Sequence, residues 1–162
     1  MPEQIIKTYK AIPTLAKFHS CEAPMRCIVG PVGSGKTTAA SWELCYYLPK
    51  HVFNTYGIKK TRWVVLRNTY PELIDTTQKT LFYWFDWGKY QKQAKVYTLE
   101  YQDFELEILF RSCDNPDDVA KFKSLELTGY WIDESIEVGQ NVKLMLKNRI
   151  GRLLARWRPP IP

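Results

Sequence analysis

The stretch "IVGPVGSGKTTAA", Ile28 to Ala40, sets Gly30, Gly35, Lys36 and Thr37 in the spacing G-x-x-x-x-G-K-[ST]. At a glycine frequency of about 7%, chance should produce this pattern in roughly one chain of this length in a few hundred. Each residue type has a task in holding phosphate. The glycines let successive backbone N–H groups turn inward on phosphate oxygens, the Lys36 ammonium reaches the β and γ phosphates, and the Thr37 hydroxyl is a ligand for Mg2+. A helix opening at Lys36 adds the positive end of its dipole. The loop Gly30, Pro31, Val32, Gly33, Ser34, Gly35, Lys36, Thr37 and Thr38 is therefore the candidate cradle for Mg-ATP; the plainer alternative is a glycine-rich turn with an exposed lysine.

A second constellation lies a hundred residues on. The apolar run in "LELTGYWIDE" ends on two adjacent carboxylates, Asp133 and Glu134. A strand that carries an Asp to the Mg2+ shell, followed by a Glu that polarises water for attack on a γ-phosphate, is the complement the glycine loop needs. Read alone, the same pair could cap the next helix. Arg67 closes the run "RWVVLR", and ligands of open α/β sheets bind outside the carboxyl ends of strands. It is a candidate nucleotide contact, or else a surface partner of Glu72 or Asp75. From Lys143 to Arg158 six basic residues, Lys143, Lys147, Arg149, Arg152, Arg156 and Arg158, occur with no acidic one. They read as a DNA-facing stripe, as a source of an arginine finger for a neighbouring subunit through Arg149 or Arg152, or as a solvated helix face with favourable dipole placement.

The elements that must position these groups follow from hydrophobic period. "RCIVG" predicts a short buried strand entering the glycine loop, and "TTAASWELCYYL" predicts a helix with Ala40, Leu44, Tyr47 and Leu48 on one face. "RWVVLR" predicts a strand covered on both sides, as in a parallel sheet. "PELIDTTQKTLFYWF" starts with Pro71, suited to a first helical turn, and repeats Leu73, Ile74, Thr77, Leu81, Trp84 and Phe85. "AKVYTLEY" and "FELEILF" alternate with period two and predict a β-hairpin turning at Gln102-Asp103. "SCDNPDDVAKFKS" predicts a turn and short helix, and "VGQNVKLMLKNRI" a helix with Val142, Met145, Leu146 and Ile150 inward. The tail "RWRPPIP" cannot continue a helix. The fold class is α/β: a P-loop NTPase with a mostly parallel sheet flanked by helices and an inserted β-hairpin.

The chain has 162 residues, the length of one domain, and residues 1–162 read as a single unit. Its net charge of +6 permits a polyanion partner without requiring one. Cys21, Cys27, Cys45 and Cys113 show no paired spacing and no nearby histidine pair, so reduced thiols are expected rather than a metal site. No apolar run approaches the roughly 18 residues of a membrane span, and the N-terminus lacks the apolar core of a signal peptide. No membrane partner is expected.

In order and spacing, "KFHSCEAPMRCIVGPVGSGKTTAA", "WVVLRNTYPELIDTT", "LFRSCDNPDDVAKFKSLELTGYWIDE" and "NRIGR" resemble the ATPase domain of phage terminase large subunits, the DNA-packaging motors of tailed phages. The resemblance covers nearly the whole chain from about Thr14. It implies that Lys36 and Thr37 are the Walker A pair, that Asp133 and Glu134 are the Walker B Asp and catalytic Glu, and that Phe18 and His19 fall where the family contacts adenine. It further implies ATP and Mg2+ as cofactors, double-stranded DNA as cargo, a portal protein and a small terminase subunit as partners, a homo-oligomeric ring, and the host cytoplasm as location. Two departures stand out. Pro31 and Val32 occupy the part of the loop where some members carry an arginine, and the sequence stops where the family continues with a coupling motif and a nuclease domain. The expectation is an ATPase domain incomplete at its C-terminus, with the nuclease domain absent. Two other readings stay open. A nucleotide or small-molecule kinase would need an arginine-bearing lid, and the hairpin region holds only Arg111; an assembly module would bind ATP without turnover.

Overall fold

The computed structural model describes residues 7–150. After α1 (Pro13–Ser20) and the glycine loop, one long helical rod comprises α2 (Lys36–Trp42), a π-helical turn (Glu43–Tyr47) and α3 (Leu48–Tyr56). Strand β1 (Lys60–Arg67) leads into a second rod, α4 (Tyr70–Glu72), a π-helical turn (Leu73–Gln78) and α5 (Lys79–Trp84). Strands β2 (Lys89–Gln91), β3 (Val96–Glu100) and β4 (Glu105–Ser112) follow, then α6 (Pro116–Lys121) with a 3-10 turn (Phe122–Ser124), β5 (Gly129–Ile132), a 3-10 turn (Ser135–Glu137) and α7 (Gln140–Lys147).

The sheet order is β2-β3-β4-β1-β5. β1 runs parallel to both β4 and β5, whereas β3 is antiparallel to β4 and to β2. The alternation of β1 explains the layering. Trp63 and Val65 pack on one face with Leu44, Cys45, Leu73, Leu81 and Phe85 of the two rods, while Val64 and Leu66 pack on the other with Phe122, Val138, Val142 and Leu146. The fold is α/β, with a mostly parallel core and helices on both sides. The expected hairpin is β3–β4, closed by the Tyr101 N–H donating to Phe104 O at 2.9 Å; β4 is central to the sheet rather than part of a separate insertion. Strand β2 carries too few residues to give a periodic signal.

Three expectations are corrected. "RCIVG" forms no strand and lies outside the sheet, with Val29 89% exposed. A strand forms only where a neighbour takes its N–H and C=O groups, and among the described residues none pairs with this segment. The helix after the loop continues past Leu48 to Tyr56 despite Pro49. Proline has no N–H to give to the carbonyl four residues back, and the Tyr101 hydroxyl donates to that carbonyl, Cys45 O, at 2.9 Å. Finally, the π turns shift the buried faces. Leu44 is buried as expected, but Ala39 and Cys45 are buried beside it while Ala40 is half-buried and Tyr47 exposed, and Ile74 faces out while Gln78 is buried. α7 buries Val142 and Leu146 as its period demands, but ends before Ile150, which forms a bridge with Leu127.

Candidate functional site: a glycine loop and a carboxylate at the strand ends

The loop departs from ordinary backbone at Gly33 and Gly35, whose φ values of 77° and 81° lie in the left-handed region that favours glycine. Gly35 is the N-cap of α2, and no side chain caps that helix. The N–H groups of its first turn are therefore left for an acceptor from outside, with the dipole adding attraction for an anion. The Lys36 side chain folds back over the loop, donating to Gly30 O at 2.7 Å and Pro31 O at 2.6 Å. Two carbonyls of the loop thus hold the ammonium. Pro31 and Val32 are exposed at the loop tip, and Ser34 and Thr38 are half-buried behind it.

An open cavity of about 500 Å3 adjoins the loop, within the range of small-molecule sites. Gly33, Ser34, Gly35 and Thr38 form one wall, and Tyr9, Ile12, Leu15 and Trp84 form much of the rest. The second wall was not anticipated from sequence; its signal was the apolar spacing just upstream of Phe18. The N-terminal strap that supplies it is anchored twice. Lys7 Nζ contacts both Tyr83 O and Asp86 Oδ2 at 2.5 Å, and Tyr9 stacks on Trp42 with centroids 5.2 Å apart. The Lys7 ammonium holds the Asp86 carboxyl below its usual range.

Phe18 and His19 sit on α1 in a polar knot. His19 Nε2 faces the Tyr9 hydroxyl at 2.8 Å and its Nδ1 faces Glu43 Oε2. Arg26 completes the knot through Glu43 Oε1 at 2.7 Å and Phe18 O at 3.1 Å, with its guanidinium 5.2 Å from the Phe18 ring centroid. Both ring nitrogens of His19 are thus engaged within the protein. Glu43, 5% exposed, ties α1 and the strap to the rod that begins at the glycine loop. Burial raises the Tyr9 hydroxyl's pKa, with Tyr47 and Glu43 adding to it.

At the carboxyl ends of the parallel strands the backbone ladder runs one residue further, the Asp133 N–H donating to Leu66 O at 2.9 Å. This brings Arg67 and Asp133 side by side, Nη1 to Oδ2 3.6 Å, with both side chains about 85% buried (14% and 15% exposed). Arg67 also donates to Thr76 Oγ1 and approaches Glu72 Oε2 at 3.8 Å; it contacts the helix following its own strand as well as the candidate metal carboxylate. The Thr77 hydroxyl donates to Asp133 Oδ2. Glu134 is exposed and adopts φ 50° and ψ 54°, a left-handed conformation that a non-glycine residue pays for in strain and that recurs at functional sites.

A threonine hydroxyl and an aspartate carboxylate are donor types that Mg2+ accepts when bound with a nucleotide. That ion takes one or two carboxylates and completes its shell with phosphates and water. Thr37 offers a hydroxyl, Asp133 offers Oδ1 beyond the contacts on Oδ2, and among the described residues no cluster of three acidic or His/Cys ligands exists. Of the expected arginines, Arg149 lies two residues beyond α7, half-buried, with its carbonyl accepting from Leu127 N at 3.4 Å and its Nε without a hydrogen-bond partner among the described residues. Arg152 lies outside the described residues.

The chain thus combines an α/β sheet with a parallel core, a glycine loop opening a helix, and a carboxylate at the end of a parallel strand. No protein-family model and no curated protein matches the chain. Among solved structures, the fold is similar to the large terminase of a thermophilic bacteriophage, with a TM-score of 0.62 and 12% identity over 73% of this chain. It is likewise similar to the same protein in complex with ADP, with a TM-score of 0.63 and 13% identity over 74% of this chain, and in complex with ATP-gamma-S, with a TM-score of 0.58. At such identity the likeness is one of fold. The chain spans about 29% of the length of those terminases.

Proposed function

We propose that this chain is the ATP-hydrolysing part of a viral DNA-packaging motor of the large-terminase type. The observation that carries the reading is the uncapped glycine loop, with left-handed Gly33 and Gly35 and with Lys36 folded over it, in a fold shared with proteins solved with ADP and ATP-gamma-S. The loop N–H groups and Lys36 bind the β and γ phosphates, and the cavity walled by Tyr9, Ile12 and Trp84 receives the nucleoside. Thr37 and Asp133 hold Mg2+, which when bound neutralises phosphate charge. Glu134 accepts a proton from water as its oxygen attacks the γ-phosphorus, the bond to the ADP oxygen breaks, and phosphate leaves. Double-stranded DNA as cargo, a portal and a small terminase subunit as partners, a ring of copies and a host-cytoplasmic site of action belong to the same proposal.

A second reading, nucleotide binding with little turnover, has its own observation: Arg67 and Thr77 occupy one oxygen of Asp133, and Lys36 is satisfied by its own loop. Steady-state phosphate release across a wide range of protein concentration separates the two. Specific activity that rises with concentration and falls in Arg149→Ala or Arg152→Ala indicates a neighbour's arginine, a group worth 10³–10⁵ in rate where GTPases use one. A flat activity lost only in Arg67→Ala contradicts the neighbour's role, and ATP binding with no phosphate release at any concentration supports the second reading.

A further inference from the structure

Thr77 has no place in the phosphate chemistry above, yet its position is unusual. It is fully buried, it lies within the π-helical turn of the rod that follows β1, and its hydroxyl is directed at Asp133 Oδ2 across a separation of 56 residues. The hydroxyl of its neighbour Thr76 lies 3.4 Å away but has other partners: it donates to Glu72 O at 2.7 Å and accepts from Arg67. Adjacent threonines thus divide two charged partners between them, one holding the arginine and the other the carboxylate. An α-helix sends neighbouring residues about 100° apart, and the wider π turn is what buries Thr77 and Gln78 together against the strand ends. A β-branched hydroxyl residue in a helix ordinarily returns its proton to a carbonyl one turn back, as Thr80 does to Thr76 O at 2.8 Å. Thr77 gives its proton to Asp133 instead.

We propose that Thr77 is a positioning residue for the metal-binding carboxylate: its hydroxyl fixes the rotamer of Asp133 so that Oδ1 is presented to Mg2+, while Oδ2 is held back. The inference rests on the Mg-ATP reading of the site. A single donor on one oxygen is suited to this task because it leaves the other oxygen's lone pairs for the ion, and because a fixed ligand loses no rotamer freedom on binding. Arg67, 3.6 Å from the same oxygen, neutralises the carboxylate without replacing this directional contact. Outer contacts of this kind typically cost 10–100-fold in metal affinity when removed.

The test is calorimetric titration of the chain with ATP at a series of MgCl2 concentrations and in EDTA, for the parent, Thr77→Val and Thr77→Ser. The parent should bind ATP more tightly as Mg2+ is added. Thr77→Val, nearly isosteric but without the hydroxyl, should need roughly tenfold more Mg2+ or above for the same gain, with its affinity in EDTA unchanged, and Thr77→Ser should restore the parent curve. In an Asp133→Ala background, Thr77→Val should make no further difference to the Mg2+ dependence. A Thr77→Val curve that overlays the parent overturns the positioning role and leaves the Mg-ATP reading intact. Equal losses in EDTA and in Mg2+, unrescued by serine, also overturn it, because the hydroxyl then serves the fold alone. A parent that binds ATP with no response to Mg2+ removes the reading on which the inference stands.

Discussion

Lys36 and Glu134 separate binding from chemistry at single residues. The Lys36 ammonium is a charged hydrogen-bond donor worth about 1.5–3 kcal/mol, so Lys36→Ala should weaken ATP binding on the order of 10–100-fold, measured by calorimetry, with its thermal transition close to the parent's. Glu134→Gln keeps the side-chain shape but cannot take a proton from water; ATP affinity should persist while phosphate release falls about 10²-fold or more. The backbone at Glu134 offers an independent check. Its φ of 50° costs an ordinary residue about 1–2 kcal/mol that glycine avoids, so Glu134→Gly should unfold at no lower denaturant than the parent although its turnover is lost. Thiol labelling probes three further positions. Cys21 and Cys27 are exposed, whereas burial holds the Cys45 thiol well above its usual pKa; a maleimide should modify the first two quickly and Cys45 only on unfolding. At this scale spacing alone picks out the loop and Asp133-Glu134 as candidates. Thr77, Glu43 and Tyr9 were illegible as site residues because their importance lies in contacts across tens of positions, for which periodicity offers no sign.

Elements differ in how closely they approach one another, and Gly129 marks a tight point between β5 and β1. It pairs with Trp63 across β5 and β1, and a Cβ there would press into the indole ring. Gly129→Ala should destabilise the fold by about 1–3 kcal/mol in denaturant melts, and Trp63→Leu should reduce that penalty, the two residues being in contact. The polar knot behaves differently. Removing Glu43 leaves Arg26 and His19 without their shared acceptor, and breaking a buried pair costs about 3–5 kcal/mol; Glu43→Ala should therefore lower the unfolding midpoint far more than Asp86→Ala, whose carboxyl is largely exposed. The strands β1, β3 and β4 were readable because each has a face whose burial depends on a period of two or on an unbroken apolar run. The strand expected at "RCIVG" failed because apolar composition alone supplies no pairing partner, and the two helical faces rotated because a π turn adds a residue that a period of 3.6 does not contain.

For the whole molecule, tyrosines buried on both faces of the sheet set a limit on alkaline stability. Burial raises the hydroxyl pKa of Tyr97 to about 12, and also raises those of Tyr70, Tyr101 and Tyr130. A group whose pKa is raised in the folded state stabilises it fully below the unfolded value, near 10, and loses that contribution as pH climbs toward the folded one. Stability should accordingly be level through neutral pH and fall above about pH 10, with tyrosinate absorbance and loss of helical circular dichroism appearing together. The central proposal for the whole molecule is that the glycine loop and the cavity beside it hold a nucleoside triphosphate. The most direct measurement is equilibrium binding of ATP to the parent chain and to Lys36→Ala in the presence of MgCl2. The account predicts saturable binding with one site per chain, displaced by ADP and strongly weakened by the substitution; no binding to the parent, or equal binding to both, would contradict it.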